Sequence, residues 1–336
     1  MSSATSARAT PHPAPDPAAE VTALAHRVAT HPGTTGKAAI GLVSEVLGGA
    51  DWLSGPGDDG AVVATTAGGR VVACGEALWP PFVARDPWGA GFAAVLTNVN
   101  DVAAMGAVPL GIVNTVTASD GHARSVLEGM RHACGLYDVG ILGGHLTRHD
   151  GEPSVSAFAL GEVEDPLSVT RVAPGQSLVV AAALDGAMRE DFPFFPAFEQ
   201  RGRRCAGDVR LLASLARSGA VVAAKDVSMA GLVGSLAMLL EWGTFGIEVD
   251  LDAVPTPAGV DPGDWLTCFP SFCFLLCVPA GREAEAIAAI HARDLDAAVV
   301  GRVDDTGRVR LRRADAVATA FDLARDGVTR LARGPR

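Results

Sequence analysis

Two adjacent carboxylates stand in a glycine-flanked turn at Gly57-Asp58-Asp59-Gly60. The apolar segment that follows the turn has the pattern of a β-strand. Backbone N–H groups exposed in such a loop, together with carboxylate oxygens, can bind a magnesium-bound phosphate. Asp and Gly are also the residues that ordinary solvated turns prefer, so a plain turn is the alternative interpretation.

A third carboxylate lies within an apolar helical pattern. Asp86 and Pro87 have the residue types of an N-cap and a first helical position, and the Ala-rich pattern continues to about Gly106. Asn98 and Asp101 are three residues apart and therefore share one face of this helix. Because an unpaired buried carboxylate is costly, Asp101 is expected to meet a basic side chain, a metal ion or a water-filled cleft.

Two further polar motifs follow apolar strand patterns. Gly143-Gly144-His145 permits close approach of the backbone to a ligand and presents His145 at a strand end, although a plain turn would use the same glycines. Asp226 and Ser228 stand between an apolar strand pattern and an amphipathic helix. These two side chains can bind a cation or cap the helix.

The composition excludes several classes of function. The formal net charge is −11 and no Lys/Arg cluster is visible, which argues against a nucleic-acid partner. No apolar stretch reaches the ~18 residues of a membrane span and the first residues lack a signal-peptide pattern, so a cytoplasmic location is expected. Six scattered cysteines without metal-site spacing are expected to be reduced thiols.

Helical and strand patterns alternate through both halves of the chain, which indicates an α+β fold of two domains. The first residues, rich in Ala, Pro, Ser and Thr, favour a flexible arm. A turn at Ala-Pro-Gly-Gln suggests a domain boundary near residue 170. The predicted division is a flexible arm over 1–35, a first domain over 36–170, a second domain over 171–312 and a C-terminal helix over 313–336.

Five segments taken in order resemble the signature of a known superfamily: GDDGAVV, TNVNDVAAMGA, ILGGHLTRHDG, DVSMAGLVGSL and VVGRV. The superfamily contains aminoimidazole ribonucleotide (AIR) synthetase, thiamine-monophosphate kinase, selenophosphate synthetase and the hydrogenase maturation factor HypE, and the chain is most similar to its AIR-synthase-related members. The resemblance implies a PurM-like two-domain fold with an N-terminal β-rich half-barrel domain that forms a homodimer interface. It also implies that ATP and Mg²⁺ bind in a cleft between the domains, together with a small-molecule substrate.

The resemblance also implies roles for individual residues. Asp58 and Asp59 match the first acidic metal-binding loop, Asp101 matches a helix carboxylate that faces magnesium, and Asp226 matches an aspartate near the phosphates. These four are the expected metal ligands. The expected catalytic residues are Asp101, Asp226 and His145. The expected cofactor-binding residues are Gly57, Asp58, Asp59, Asn98, Gly143, Gly144 and Ser228.

The sequence departs from the superfamily pattern at two acidic positions. Cys74-Gly75 replaces a Thr-Asp pair, with Glu76 as a possible substitute, and His145 replaces an acid after the double glycine. Imidazole suits phosphate or substrate better than Mg²⁺. Lys37 is expected to be an ordinary surface charge. Two functions remain open: an ATP-dependent ligase or kinase that phosphorylates or activates a small metabolite, and a degenerate nucleotide-binding module that serves a partner enzyme.

Overall fold

A computed structural model describes residues 16–48 and 57–331 of the chain. Its first helices are α1 (Pro17–Thr30), α2 (Pro32–Thr35) and α3 (Gly41–Leu47), with a 3-10 turn over Gly36–Ile40 between the last two. The Asp16 carboxylate caps α1 by accepting a hydrogen bond from the Ala18 N–H at 3.1 Å. One face of α1 is buried through Val21, Ala25 and Val28, at helical spacing. The predicted flexible arm is therefore wrong for residues 16–35, and its remainder lies outside the described residues.

A five-stranded sheet forms the first half of the chain, and two long helices pack against one of its faces. Its strands are β1 (Ala61–Ala64), β2 (Arg70–Ala77), β3 (Val108–Ala118), β4 (Gly140–Arg148) and β5 (Ser154–Glu162), and its helices are α4 (Pro80–Arg85), α5 (Pro87–Ala104) and α6 (Asp120–Tyr137). The strand order is β1-β2-β5-β3-β4. Only the β3–β4 pair is parallel among these strands, because α6 returns the chain between them.

Helix α5 lies at the centre of the first half and begins as its sequence predicts. Asp86 accepts a hydrogen bond from the Gly89 N–H at 2.8 Å, and Pro87 is the first helical residue. Helix α6 crosses close to α5 at two glycines. A Cβ on Gly91 or on Gly129 would lie 2.0 Å from a backbone oxygen of the opposite helix, so this approach requires glycine at both positions.

The second half contains a seven-stranded sheet and a short parallel strand pair. Its strands are β6 (Ser177–Ala182), β7 (Phe194–Phe195), β8 (Ala223–Asp226), β9 (Gly246–Asp250), β10 (Phe269–Pro270), β11 (Cys273–Val278), β12 (Asp296–Asp304), β13 (Arg308–Arg313) and β14 (Ala316–Asp322), and its helices are α7 (Phe198–Arg201), α8 (Cys205–Asp208), α9 (Leu211–Arg217), α10 (Gly231–Glu241), α11 (Pro262–Thr267) and α12 (Glu283–His291). The strand order is β14-β13-β9-β12-β6-β11-β8, which places β8 at an edge.

The C-terminal segment is a hairpin and a loop, so the predicted helix over 313–336 is wrong for the described residues up to 331. Strands β13 and β14 pair antiparallel, and α1 packs against both. Glu241 holds the loop that follows. Its buried carboxylate accepts hydrogen bonds from the backbone N–H groups of Val328 and Thr329 at 2.7 and 3.1 Å. Residues 332–336 lie outside the described chain.

One continuous set of buried apolar side chains runs through both halves of the protein. Helix α5 packs against β5, β2 and β3 of its own half and also against β8 of the other half. The six cysteines are free thiols, five of them buried. In the parts of the chain that the structure describes, no helix is long and apolar enough to span a membrane. The predicted α+β two-domain architecture is confirmed, and the first sheet is open rather than a closed barrel.

Candidate active site

A cavity of about 330 Å³ lies where the two halves meet. Asp59, Asp101 and Asp226 line it, and each offers a carboxylate oxygen within 4.8 Å of the other two. Asp59 belongs to the turn before β1, Asp101 to the last part of α5 and Asp226 to the end of β8. We refer to Asp59, Asp101 and Asp226 as the acidic triad. Both halves of the chain contribute to it.

Strand β8 contacts Asp59 directly. The ammonium nitrogen Nζ of Lys225 forms an ion pair with Oδ1 of Asp59 and lies 4.0 Å from Oδ1 of Asp226. The backbone N–H of Asp226 donates to the other oxygen of Asp59, Oδ2, at 3.1 Å. The side chains of Lys225 and Asp59 are only 5% and 6% exposed, so this contact between the halves is shielded from water.

Burial and mutual repulsion perturb the acids of this cavity. Burial raises the pKa of Asp226 to about 7, and the charge of Asp59 adds to the effect. Burial raises the pKa of Asp101 well above its usual range, with further contributions from Asp226 and Asp59. The pKa of Glu76 is also raised by burial. A cation among these carboxylates would favour their ionised forms, as expected of a cation-binding site.

Asp58 has a different role from Asp59 and does not belong to the acidic triad. Its Oδ2 accepts a hydrogen bond from the Ser168 hydroxyl at 2.7 Å, and its Oδ1 accepts one from the Val169 N–H at 2.6 Å. These bonds fasten the acidic turn to the segment that joins the two sheets. Burial raises the pKa of Asp58 to about 6 despite both hydrogen bonds. Asp58 also lines the cavity, so its expected role as a metal ligand stays a prediction beside this structural contact.

The cavity lining also contains apolar side chains, which we call its apolar wall. Met229 lies just before α10 and Met238 lies within that helix, while Phe269 comes from β10 and Ile40 from the 3-10 turn before α3. The cavity thus joins a group of carboxylates to an apolar wall. Such a combination suits a ligand with a charged end and a flat apolar end.

Comparisons with known proteins show the family to which the chain belongs. The model of the AIR synthase related protein N-terminal domain matches residues 57–163, and that of the AIR synthase related protein C-terminal domain matches residues 176–313. This chain belongs to the AIR synthase related family. An uncharacterized protein of Synechocystis sp. is 31% identical over 81% of this chain and 85% of its own length.

Two solved structures show the same fold at low sequence identity. PurL of Thermotoga maritima, complexed with ADP, has a TM-score of 0.71 and 18% identity over 85% of this chain and 48% of its own. AaThiL, complexed with AMPPCP and TMP, has a TM-score of 0.63 and 20% identity over 83% of this chain and 95% of its own. The chain therefore spans about half the length of that PurL protein, and less than half the length of the PurL of Gloeobacter violaceus.

Several residues expected at the site from the family pattern lie elsewhere. Gly143, Gly144 and His145 are on β4, the exposed edge strand of the first sheet, and none of them lines the cavity. The Asn98 side chain is buried, and its amide group donates to the backbone oxygens of Ala94 and Ala157 at 2.8 and 3.2 Å. None of these four residues lines the cavity, so their expected roles in cofactor binding or catalysis stay predictions without support from its geometry.

The remaining expected residues, Gly57 and Ser228, line the cavity. Glu76, one residue beyond the expected acidic position, also lines it, whereas His145 does not. A side chain at position 75 would require the Phe158 ring to move, since a Cβ there would lie 2.5 Å from a ring carbon.

Sequence reasoning missed two lysines of the site. Lys37, expected at the surface, lines the cavity from the 3-10 turn before α3. Lys225 was not distinguished from the strand pattern around it, although a lysine in a buried strand requires a partner. That requirement was the available signal. The partner, Asp59, is 166 positions away in the sequence.

Proposed function

We propose that this AIR synthase related protein binds ATP with Mg²⁺ in the cavity and phosphorylates or activates an oxygen of a small metabolite. The convergence of the acidic triad at the junction of both halves is the observation that supports the proposal. Carboxylate oxygens are the hard ligands that Mg²⁺ prefers. The raised pKa values of Asp101 and Asp226 are consistent with carboxylates that lack their cation.

The cavity offers complementary contacts for the rest of the nucleotide. Mg²⁺ bound to Asp59, Asp101 and Asp226 would supply neutralising charge for phosphate oxygens. The Lys37 ammonium lies in the same cavity and would contact the phosphate chain. The apolar wall that includes Met238 and Phe269 would contact the base. The nucleotides bound by Thermotoga maritima PurL and by AaThiL support this assignment through the shared fold.

Catalysis is favoured over the alternative of a degenerate binding module. That alternative was suggested by the loss of expected acids at Gly75 and His145. His145 lies on β4 outside the cavity, and Glu76 supplies a carboxylate beside Gly75. Neither replacement therefore removes acidic character from the site. Substrate-dependent ADP release across a panel of small hydroxyl, carboxylate and amide compounds distinguishes the two functions, since a binding module would retain nucleotide without turnover.

Calorimetric titration of the non-hydrolysable analogue AMPPCP, with and without Mg²⁺, tests the binding site. Wild-type protein is expected to bind in a Mg²⁺-dependent way, and Asp101→Asn is expected to lower the affinity at least about tenfold through the loss of one charged ligand. Asp120→Asn is a matched control because Asp120 is an exposed carboxylate on α6. Equal affinity in wild type and Asp101→Asn, or binding that ignores EDTA, would refute the proposed site.

We also propose that the protein is a homodimer formed through the open face of the first sheet. Alternate residues of β3 and β5 are buried against α5, while Leu110 and Phe158 on the opposite face are 49% and 45% exposed. Leu142 on the edge strand β4 is also exposed. Adjacent exposed apolar residues on a sheet face are typical of an interaction surface.

Sedimentation velocity tests the dimer. Leu110→Asp is expected to shift the protein to monomer, because it places a charge in the proposed apolar interface. Leu127→Asp provides the control, since Leu127 is 41% exposed on α6, away from that face. A wild-type monomer, or a Leu110→Asp dimer of unchanged strength, would contradict this assignment.

A further inference from the structure

Lys225 is a buried lysine beside the acidic triad, and the proposed function gives it no role. Its side chain is 5% exposed and its Nζ is ion-paired with Oδ1 of Asp59. Nζ also lies 4.0 Å from Oδ1 of Asp226, so the ammonium stands among the same carboxylates that would bind a metal ion. The surrounding charges of Asp59, Asp226 and Asp101 favour the ammonium form.

The contacts of Asp59 leave little room for a second cation beside Lys225. Oδ2 of Asp59 accepts the backbone N–H of Asp226, and Oδ1 faces Nζ. Antiparallel pairing with β11 fixes the backbone of β8, and it therefore also fixes the position of the Asp226 N–H. Oδ1 is therefore the oxygen of Asp59 that a metal ion would need. Two cations on one carboxylate oxygen repel each other.

The chemistry of lysine permits Nζ to leave Asp59 without any change in the backbone. The ammonium sits on a flexible four-carbon stem, whereas the Lys225 backbone is paired with Leu275 of β11. The side chain also lines the cavity itself, so Nζ can stay within the same enclosed space. An ammonium released from a carboxylate in a buried site needs a new anionic partner.

We propose that Lys225 is the resident counter-ion of the acidic triad, which a divalent cation displaces from Asp59 and which then contacts a phosphate oxygen of the nucleotide. Metal and lysine thus compete for Asp59 when no nucleotide is present. They act together when a phosphate chain offers the ammonium a new partner. This inference rests on the proposed metal and nucleotide site, and it assigns Lys225 as a positioning residue for both.

Titration of Mg²⁺ alone, followed by AMPPCP, tests the exchange in wild-type and variant full-length protein by calorimetry. Lys225→Met keeps the chain length but removes the charge, so it is expected to bind Mg²⁺ alone at least about tenfold more tightly. The same variant is expected to lose at least about tenfold in affinity for AMPPCP measured at saturating Mg²⁺. Lys225→Arg retains a cation and is expected to bind Mg²⁺ alone as weakly as wild type.

Lys37→Met is the matched control within the same cavity. Among the described residues, Lys37 forms no ion pair within 4.0 Å, but its charge acts on Asp226 and Glu76. Its removal is therefore expected to tighten the binding of Mg²⁺ alone by less than about threefold, and to weaken AMPPCP binding. A Lys37→Met protein that binds Mg²⁺ alone as tightly as Lys225→Met would overturn the specific competition with Lys225, because any positive charge in the cavity would then have the same effect.

Wild-type protein gives a second readout that does not depend on the folding of Lys225→Met. NMR of ¹⁵N-labelled lysine ammonium groups, with Lys225→Arg used for assignment, is expected to show the Lys225 signal shift when Mg²⁺ is added. A signal unchanged at saturating Mg²⁺ overturns the exchange. Equal Mg²⁺ affinity in wild type and Lys225→Met overturns it while the metal site stands, whereas no Mg²⁺ binding in either protein overturns both proposals.

Discussion

Neutralising Asp101 is expected to stabilise the metal-free protein while it abolishes the metal site. Asp101 is buried at the end of α5, and its pKa lies well above the usual range because of burial and of the neighbouring charges of Asp226 and Asp59. The folded state therefore holds a proton on Asp101 that the unfolded state releases above about pH 4. Asn carries no charge in either state. Asp101→Asn therefore removes the free-energy cost of protonating this carboxyl group on folding.

The magnitude follows from the proton linkage. The wild-type free energy of unfolding falls as pH rises above the unfolded pKa of 3.8, by about 1.4 kcal/mol per pH unit until the folded pKa is reached. At pH 7 this sets a ceiling of roughly 4 kcal/mol for one carboxyl group. Because this ceiling assumes no compensating loss of contacts in the variant, we expect a gain of about 1–3 kcal/mol. For a chain of 336 residues, the corresponding rise in melting temperature is about 1–4 °C.

Thermal denaturation in EDTA at pH 5, 6, 7 and 8 measures this effect. The advantage of Asp101→Asn over wild type is expected to grow with pH, since the wild type alone loses stability. Addition of Mg²⁺ and AMPPCP is expected to reverse the order, because ligand at about one hundred times its Kd stabilises the wild type by roughly 2.7 kcal/mol. Asp305→Asn, in an exposed turn, is the control that keeps the wild-type curve.

Three outcomes would refute this reasoning. An Asp101→Asn protein that melts below wild type in EDTA at pH 8 would mean that contacts of the ionised carboxylate outweigh its burial cost. An equal ligand-dependent rise in both proteins would mean that Asp101 is not a ligand. A pH-independent difference between them would place the effect in packing rather than in proton uptake.

Three further predictions concern other carboxylates and His145. Asp58→Ala removes the acceptor of the Val169 N–H and is expected to lower the free energy of unfolding in urea by about 1–3 kcal/mol, with Mg²⁺ binding retained. His145→Ala is expected to keep the AMPPCP affinity within about twofold in calorimetry, because His145 does not line the cavity. Glu241→Ala leaves the buried N–H of Thr329 without its acceptor and is expected to cost about 2–4 kcal/mol in the same urea assay, and Glu241→Gln less.

Local sequence signals predicted the central helix, and the family resemblance predicted that Asp59, Asp101 and Asp226 bind one metal site. Asp86 and Pro87 specify the start of α5 because capping depends on neighbouring residues alone. The burial of Asp101 followed from the apolar pattern around it. The choice between Asp58 and Asp59 did not follow, since both are in one turn. Which of them joins the acidic triad depends on contacts with residues more than one hundred positions away.

The errors have a common physical cause. Composition suggested a flexible arm before residue 35, but α1 is stabilised by packing on β13 and β14 from the other end of the chain. The double glycine before His145 resembled a ligand loop, yet its place is decided by pairing with β3. Tertiary neighbours that no local pattern contains determine each of these positions.

The contact between Lys225 and Asp59 explains how an acidic site can exist between two halves of one chain. Without a cation, Asp59 and Asp226 would repel each other across the junction, since they come from opposite halves. Lys225 offsets this repulsion in the metal-free protein, and a divalent ion bound to the same carboxylates would do so in the liganded one. Both states thus keep a cation at the junction. Removal of Lys225 is therefore expected to make packing of the two halves depend on metal, whereas removal of Asp101 makes it independent of metal.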